Sequence, residues 1–290
     1  MAVTIFSPAK LNLSLAVTGR RADGFHDLVS VVAPVAFGDE LTAELAEQFA
    51  LTCDVAGLPV DGTNLILRAA EAFARATGWS GAAKFHLTKR NPVGAGLGGG
   101  SSNAVAALRA LNMLSGERAS ATELTAIATG LGSDCALFLH DAPVIIRGRG
   151  EIVERLPESA AARLRGRRVL IFKPTFGVST PWAYGRMVAR GGDYVSPVLA
   201  EAQLAAWLRS EAPAEELLGN NMEPAVFAKY IALPVLLDGL RRDFGVAARM
   251  SGSGSACFAL LSAEQNAAAL RTRIAESWGE TAHIIETRLA

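Results

Sequence analysis

The chain has 290 residues, a length that favours one large or two medium-sized domains. Half of its residues are hydrophobic and 19% are charged, which excludes an intrinsically disordered chain. Because 28 basic and 28 acidic side chains give zero net charge, the composition argues against a protein that binds nucleic acid or a membrane surface. We therefore expect a small molecule as partner.

The cysteine pattern and the N-terminal segment indicate where the protein works. Cys53, Cys135 and Cys257 are widely spaced and form no CxxC pair, which is typical of a reducing compartment rather than of a disulfide framework or a zinc site. The N-terminus has neither the basic start nor the long apolar run of a secretion signal. The longest apolar stretch, near residues 29–37, is too short to span a bilayer. We expect a cytoplasmic protein.

The first third of the chain has the patterns of strands. Apolar residues alternate with polar ones from Ala9 to Val17, and a more continuous apolar strand is expected over 28–37. The segments 41–45 and 49–55 alternate again and are expected to pair with each other as a hairpin. A helix over 63–76 and a short strand over 83–87 follow.

The remaining two thirds alternate helices and strands. A glycine-rich segment leads into a helix predicted from Ser101 to about Leu114, and Ser120-Ala-Thr-Glu123 is a capping box that begins the next helix. Thr180 and Ser196 are predicted N-caps because a proline follows each of them. Later patterns predict strands over 168–172, 246–250, 256–261 and 282–287, and a helix over 263–278. The sequence predicts an α+β protein with an N-terminal lobe over 1–157 and a C-terminal lobe over 158–290.

The strongest local signal is the glycine-rich segment, which has five glycines between positions 94 and 100. Without Cβ atoms, this backbone can approach a ligand closely. The N–H groups at the beginning of the following helix favour an anion, and nucleotide phosphates fit best. A flexible turn is the alternative. The residues assigned to this nucleotide site are Pro92, Val93, Gly94, Ala95, Gly96, Leu97, Gly98, Gly99, Gly100, Ser101 and Ser102.

Two common nucleotide-binding motifs do not fit this segment. A Walker A loop needs a lysine before its serine or threonine, whereas Gly100 precedes Ser101. The glycines at 94, 96 and 99 match the dinucleotide fingerprint, but another capped helix follows where a parallel strand is required. We therefore reject a Rossmann fold.

Three polar residues elsewhere are candidates for chemistry. Lys10 and Asn12 project from the same face of a predicted strand, and a solvated strand face is the alternative interpretation. Asp134, in Gly132-Ser-Asp134, enters an apolar segment and is either a cap at a helix junction or an acid placed for catalysis.

Four motifs occur in an order and at spacings that resemble the GHMP kinase superfamily. They are Pro8-Ala-Lys-Leu-Asn12, the segment 92–102, Gly132-Ser-Asp134 and Ser251-Gly-Ser-Gly-Ser-Ala256. The chain's start and its Phe25-His26 pair resemble the branch of this superfamily that serves non-mevalonate isoprenoid synthesis. Residues 220–223, Asn-Asn-Met-Glu, are similar to that branch's Asn-Asp-Leu-Glu segment.

The resemblance implies a two-lobed fold with the active site between the lobes. It also implies ATP as phosphoryl donor, bound at the glycine-rich segment, and a cytidine-diphosphate-linked polyol as acceptor. Lys10 and Asp134 would be the catalytic pair, and Asn12 would contact the methylerythritol end of the acceptor. Mg²⁺ is expected through the ATP phosphates, and no protein residue is assigned as a metal ligand.

The resemblance also implies a cytosine site. Phe25 and Tyr184 would sandwich the base, and His26 would form a hydrogen bond with its edge. Trp182 lies near Tyr184 in the sequence and is an alternative to it.

Two other functions are weighed against this one. Another kinase of the superfamily would act on homoserine, mevalonate or a sugar, and the Phe25-His26 pair argues against it. The second alternative is a non-catalytic nucleotide-binding protein, and the retention of both Lys10 and Asp134 argues against this function. The oligomeric state is open.

Overall fold

The computed structural model describes residues 2–290, which form two compact units. The first unit comprises residues 2–9, 37–92 and 98–141, and the second comprises 10–36, 93–97 and 142–290. Two long strands, β1 (Ala2–Arg20) and β2 (His26–Ala46), contribute residues to both units. Both units therefore draw on several segments of the chain, and the lobe boundary after residue 157 stays a prediction.

The first unit combines a sheet with three helices. Its strand order is β3-β4-β2-β1, where β3 is Ala50–Cys53 and β4 is Ala82–Thr88. The helices α1 (Leu65–Thr77), α2 (Gly99–Leu114) and α3 (Ala121–Leu131) pack against one another, and a 3-10 helix spans Ala136–Leu139.

The hairpin expected from segments 41–45 and 49–55 is wrong. Strand β4 lies between the two: it pairs antiparallel with residues 40–46 of β2 and parallel with β3. Alternation in a sequence fixes which face of a strand is buried, but it does not fix the neighbouring strand.

The second unit contains two groups of paired strands. In the first, the order is β6-β5-β2-β1-β8, with β5 at Val144–Gly148, β6 at Ile152–Arg155 and β8 at Gly219–Asn220. In the second, the order is β11-β7-β10-β9, with β7 at Arg168–Lys173, β9 at Ala247–Met250, β10 at Cys257–Leu261 and β11 at His283–Arg288. All five residues of β10 are buried, so this strand lies in the core of the second unit.

Six helices belong to the second unit, where a further 3-10 helix spans Ala214–Leu217. The helix predicted over 263–278 begins later, because the Asn266 side chain accepts hydrogen bonds from the N–H groups at positions 268 and 269. Ser196 is an N-cap as predicted, whereas Ser179 rather than Thr180 holds that position in the earlier helix. The helices are α4 (Glu158–Leu164), α5 (Thr180–Ala189), α6 (Pro197–Arg209), α7 (Glu223–Phe227), α8 (Ala232–Phe244) and α9 (Ala267–Trp278).

The α+β class predicted from the sequence is confirmed. None of the helices within residues 2–290 combines the length and the apolar character that crossing a bilayer requires.

Candidate functional site

Lys10 and Asn12 lie side by side on β1 in the second unit. Both are buried, with 5% and 6% of their surface exposed. Lys10 Nζ donates a hydrogen bond to Asn12 Oδ1 at 2.6 Å, and Asn12 Nδ2 donates to Ser30 Oγ at 3.0 Å. The alternative of a solvated strand face is therefore wrong. A buried ammonium group needs polar partners, and here the asparagine amide both stabilises and orients it.

The first half of the glycine-rich segment packs against the turn formed by residues 251–254, which we call the serine-glycine turn. Ala256, just after this turn, donates its N–H to Ala95 O at 3.0 Å. Gly96 has a φ of +78°, and a Cβ atom there would lie 2.9 Å from the carbonyl oxygens of both Ser251 and Gly254. Two motifs that are far apart in the sequence thus meet in backbone contact, which requires glycine at position 96.

The serine-glycine turn also reaches the buried Lys10–Asn12 pair. Asn12 donates its backbone N–H to Ser251 Oγ at 3.2 Å. A Cβ atom at Gly252 would lie 3.1 Å from Asn12 Oδ1 and 3.6 Å from Lys10 Nζ. Lys10 in turn donates its backbone N–H to Leu97 O at 3.0 Å. Three of the sequence motifs therefore share one set of contacts in the second unit.

The second half of the glycine-rich segment forms the beginning of α2 in the first unit. Gly98 is the N-cap, with a φ of +72°, and α2 begins at Gly99, two residues before the predicted start. Ser102 Oγ accepts a hydrogen bond from Ser7 Oγ at 2.8 Å. Uncharged glycine and serine residues make up the first helical turn, so the partial positive charge of the helix end is not neutralised by its own side chains.

Sequence analysis missed Asp39, which ties the residues just before the glycine-rich segment to α2. Its buried carboxylate accepts hydrogen bonds from the N–H groups of Arg90 (2.8 Å) and Asn91 (2.7 Å), and it pairs with the Lys89 ammonium group. Asn103 Nδ2, in α2, donates to the same carboxylate at 2.8 Å. The only signal in the sequence is an acidic residue that ends the apolar run of β2.

Asp134 lies in the first unit, in the turn between α3 and the short helix at 136–139. The N-cap position of that short helix belongs to Cys135, and the catalytic role of Asp134 stays a prediction. Burial raises the pKa of the Cys135 thiol to about 11, and the nearby Ser101 side chain opposes this shift. Because Ser101 belongs to the first turn of α2, its proximity to Cys135 places the Asp134 turn close to the helix end that favours anions.

The aromatic residues assigned to a cytosine site all lie in the second unit. The rings of His26 and Tyr184 are stacked, with centroids 4.6 Å apart and planes at 26°. Phe25 is 51% exposed, and the Arg149 guanidinium group lies 4.7 Å from its ring centroid. Trp182 packs edge-on against another ring, that of Tyr230, at 5.3 Å. The structure thus brings Tyr184 to His26, while the cytosine roles of these residues stay predictions.

One ring nitrogen of His26 is available for a hydrogen bond to a ligand. Among residues 2–290, its buried Nε2 atom has no hydrogen-bond partner. Desolvation by burial, and secondarily the charge of Arg20, lower the pKa of His26 below its usual 6.5, so the ring is neutral at pH 7. A buried polar atom without a partner is costly, which favours a ligand that supplies one.

Comparisons with known proteins agree with these motifs. The family model for the GHMP kinases N terminal domain matches residues 64–148, and that for the GHMP kinases C terminal domain matches residues 200–280. A crystal structure of the homoserine kinase from Cytophaga hutchinsonii superposes with a TM-score of 0.73 over 99% of this chain and 95% of that one. It is 19% identical and shows the fold alone. These matches define a small-molecule kinase of the GHMP class, as the resemblance predicted.

More similar relatives narrow the class. The 4-diphosphocytidyl-2-C-methyl-D-erythritol kinase of Chlorobium phaeobacteroides is 39% identical over 89% of this chain and 88% of that protein. The enzyme of that name from Synechococcus sp. strain CC9311 is 40% identical over 89% of this chain and 86% of that protein. A crystal structure of 4-(cytidine 5'-diphospho)-2C-methyl-D-erythritol kinase is 34% identical, with a TM-score of 0.75 over 99% of this chain and 100% of that one. The chain belongs to the 4-diphosphocytidyl-2-C-methyl-D-erythritol kinase family of GHMP kinases.

Proposed function

We propose that the protein transfers the γ-phosphoryl group of ATP to a hydroxyl of 4-diphosphocytidyl-2-C-methyl-D-erythritol, in the non-mevalonate route to isoprenoid precursors. The relatives at about 40% identity carry the name of this reaction. The structural observation that carries the proposal is the buried Lys10–Asn12 pair, which contacts the glycine-rich segment through Leu97 and the serine-glycine turn through Ser251. A buried cation held against a phosphate-binding segment suits the neutralisation of a transferring phosphoryl group.

ATP, as its Mg²⁺ complex, is proposed to bind with its phosphates at the beginning of α2. Support comes from the glycine N-cap and from the neutral first turn. The Asp39 carboxylate fixes the backbone at positions 90 and 91, just before the glycine-rich segment. Because the backbone is held in place there, the N–H groups at the beginning of α2 are oriented before the nucleotide binds. Phosphoryl transfer requires such positioning from the protein.

Phosphoryl transfer depends on positioning and charge stabilisation more than on covalent chemistry. We propose that the Asp134 carboxylate accepts the proton of the acceptor hydroxyl, whose oxygen attacks the γ-phosphorus while the bond to the bridging oxygen of ADP breaks. Lys10 stabilises the negative charge on the transferring group. Asn12 holds the ammonium group in place and contacts the methylerythritol end of the acceptor.

The cytosine of the acceptor is proposed to lie against Phe25 and Tyr184, with its edge toward His26. The partnerless Nε2 of His26 supports a hydrogen bond to the base, and the exposed ring of Phe25 is accessible for stacking. The contact between Tyr184 and His26 favours Tyr184 over Trp182, which packs against Tyr230.

Replacement of Phe25 by alanine tests the acceptor site. Stacking on an aromatic ring contributes about 1–3 kcal/mol per base, so Phe25→Ala is expected to raise the KM for the cytidylyl polyol about 5- to 150-fold. The KM for ATP should stay the same. Steady-state kinetics with both substrates measure the two constants.

Phe6→Ala is the matched control, because Phe6 is a similarly exposed phenylalanine (47%) on β1 in the first unit. It should leave both constants unchanged. An unchanged acceptor KM in Phe25→Ala would place the cytosine elsewhere. If the cytidylyl polyol does not stimulate ATP consumption by the wild-type enzyme, the proposed reaction is refuted.

A further inference from the structure

The segment 220–223 has no part in the chemistry described so far, yet its side chains bind the backbone of the serine-glycine turn and of Met250, the residue just before it. Asn220 Nδ2 donates to Met250 O at 2.9 Å and to Gly252 O at 2.8 Å. Glu223 Oε1 accepts a hydrogen bond from Met250 N at 2.9 Å. Two side chains thus hold three backbone groups on either side of Ser251.

The Asn220 side chain is itself fixed. Its Oδ1 atom accepts a hydrogen bond from Met222 N at 3.0 Å, so the amide orientation is set by the local backbone. Asn220 also lies on β8, which pairs parallel with β1 and places Asn220 opposite Leu15. Asn220 is therefore aligned with β1, the strand that carries Lys10 and Asn12.

The serine-glycine turn packs closely against the glycine-rich segment and lies beside the Lys10–Asn12 pair. Its carbonyl oxygens at Ser251 and Gly254 lie against Gly96, and its Gly252 lies against Asn12 Oδ1 and Lys10 Nζ. A shift of this turn toward the site would move Gly252 closer to the buried amide and ammonium groups. A shift away would loosen Asn12, whose backbone N–H is bound to Ser251 Oγ.

We propose that Asn220 and Glu223 are positioning residues, which fix the serine-glycine turn at the distance that holds the Lys10–Asn12 pair and the glycine-rich segment in their catalytic arrangement. The assignment of a catalytic arrangement rests on the proposed function. The hydrogen bonds to Met250 and Gly252 act through the turn, so neither side chain needs to touch a substrate.

The test compares Asn220→Ala with Asn112→Ala. Asn112 is a matched control because its amide likewise donates twice, to Glu117 Oε2 and Ala119 O, and accepts once, from Ala119 N. It lies in the first unit, at the end of α2, so its loss removes the same kind of polar contact without affecting the serine-glycine turn. Glu223→Ala and Glu223→Gln form a second pair, since glutamine retains an oxygen that can accept from Met250 N.

Two measurements are made on each variant well below its melting temperature. Amide hydrogen exchange over residues 250–256 is expected to accelerate about tenfold or more in Asn220→Ala and Glu223→Ala, and to stay as in the wild type in Asn112→Ala and Glu223→Gln. Because misplacement by 1 Å can cost about 10²-fold in rate, kcat should fall at least about tenfold in the first two variants, with the acceptor KM changed less than about threefold.

Unchanged exchange in Asn220→Ala would overturn the proposal, and so would faster exchange with an unchanged kcat. An equal loss of kcat in Asn112→Ala would also overturn it, because the effect would then be a general loss of stability. The exchange measurement needs no substrate, so it decides the structural role of the two residues even if the wild type fails to phosphorylate the cytidylyl polyol. That failure would refute the proposed reaction separately.

Discussion

Replacement of Asp134 by asparagine is expected to lower kcat by about 10²–10⁴-fold, the contribution of a general base. Asparagine preserves the size of the side chain but cannot take the proton of the acceptor hydroxyl. The affinity for an ATP analogue should change little, because the phosphates are proposed to bind at the beginning of α2. Rates of ADP release at saturating substrate and calorimetric titration measure the two quantities.

The control for this experiment is Asp141→Asn. Asp141 lies in the same unit, and its exposed carboxylate forms an ion pair with Arg109 at 2.9 Å. Exposed ion pairs contribute little, so this variant should retain wild-type kcat. If a folded Asp134→Asn enzyme keeps more than about a tenth of the wild-type kcat, Asp134 is not the base.

Gly96→Ala is expected to weaken binding of an ATP analogue about tenfold or more, a loss of about 1.4 kcal/mol or more. A Cβ atom at this position would lie 2.9 Å from two backbone oxygens of the serine-glycine turn. Backbone atoms cannot move aside as a flexible side chain can, so the glycine-rich segment would be displaced from that turn. Calorimetric titration measures the dissociation constant.

Gly94→Ala separates this contact from backbone strain. Gly94 also has a positive φ, +65°, but a Cβ atom there would meet nothing within 4 Å. Both variants share the strain of a left-handed residue, and only Gly96→Ala adds the collision. Equal affinities in the two variants would show that the close approach at Gly96 does not support nucleotide binding.

Local signals in the sequence predict the helices well. The capping box of Ser120 and Glu123 is present in the structure, with both reciprocal hydrogen bonds. The helix predicted over 63–76 is observed as α1, which Asn64 caps and Gly78 ends in a left-handed conformation. These features depend on residues within one or two turns of each other, so the sequence contains the information directly.

Features that depend on distant parts of the chain could not be predicted in this way. The position of β4 between β2 and β3 is a choice of partner that alternation does not encode. The Asp39 carboxylate binds groups that follow it by about fifty residues, and its place at the end of an apolar run does not indicate which groups it binds. The contact between Gly96 and the serine-glycine turn joins two segments that are far apart in the sequence, and only the fold shows it.

The most direct test of the proposed function is ATP consumption by the wild-type enzyme with one acceptor at a time. With 4-diphosphocytidyl-2-C-methyl-D-erythritol, ADP should form in a one-to-one ratio to a phosphorylated cytidylyl product, and excess CDP should compete with the acceptor. With mevalonate, homoserine or galactose, ADP formation should stay at the rate without acceptor. Stimulation by one of those three compounds and not by the cytidylyl polyol would contradict the proposed function.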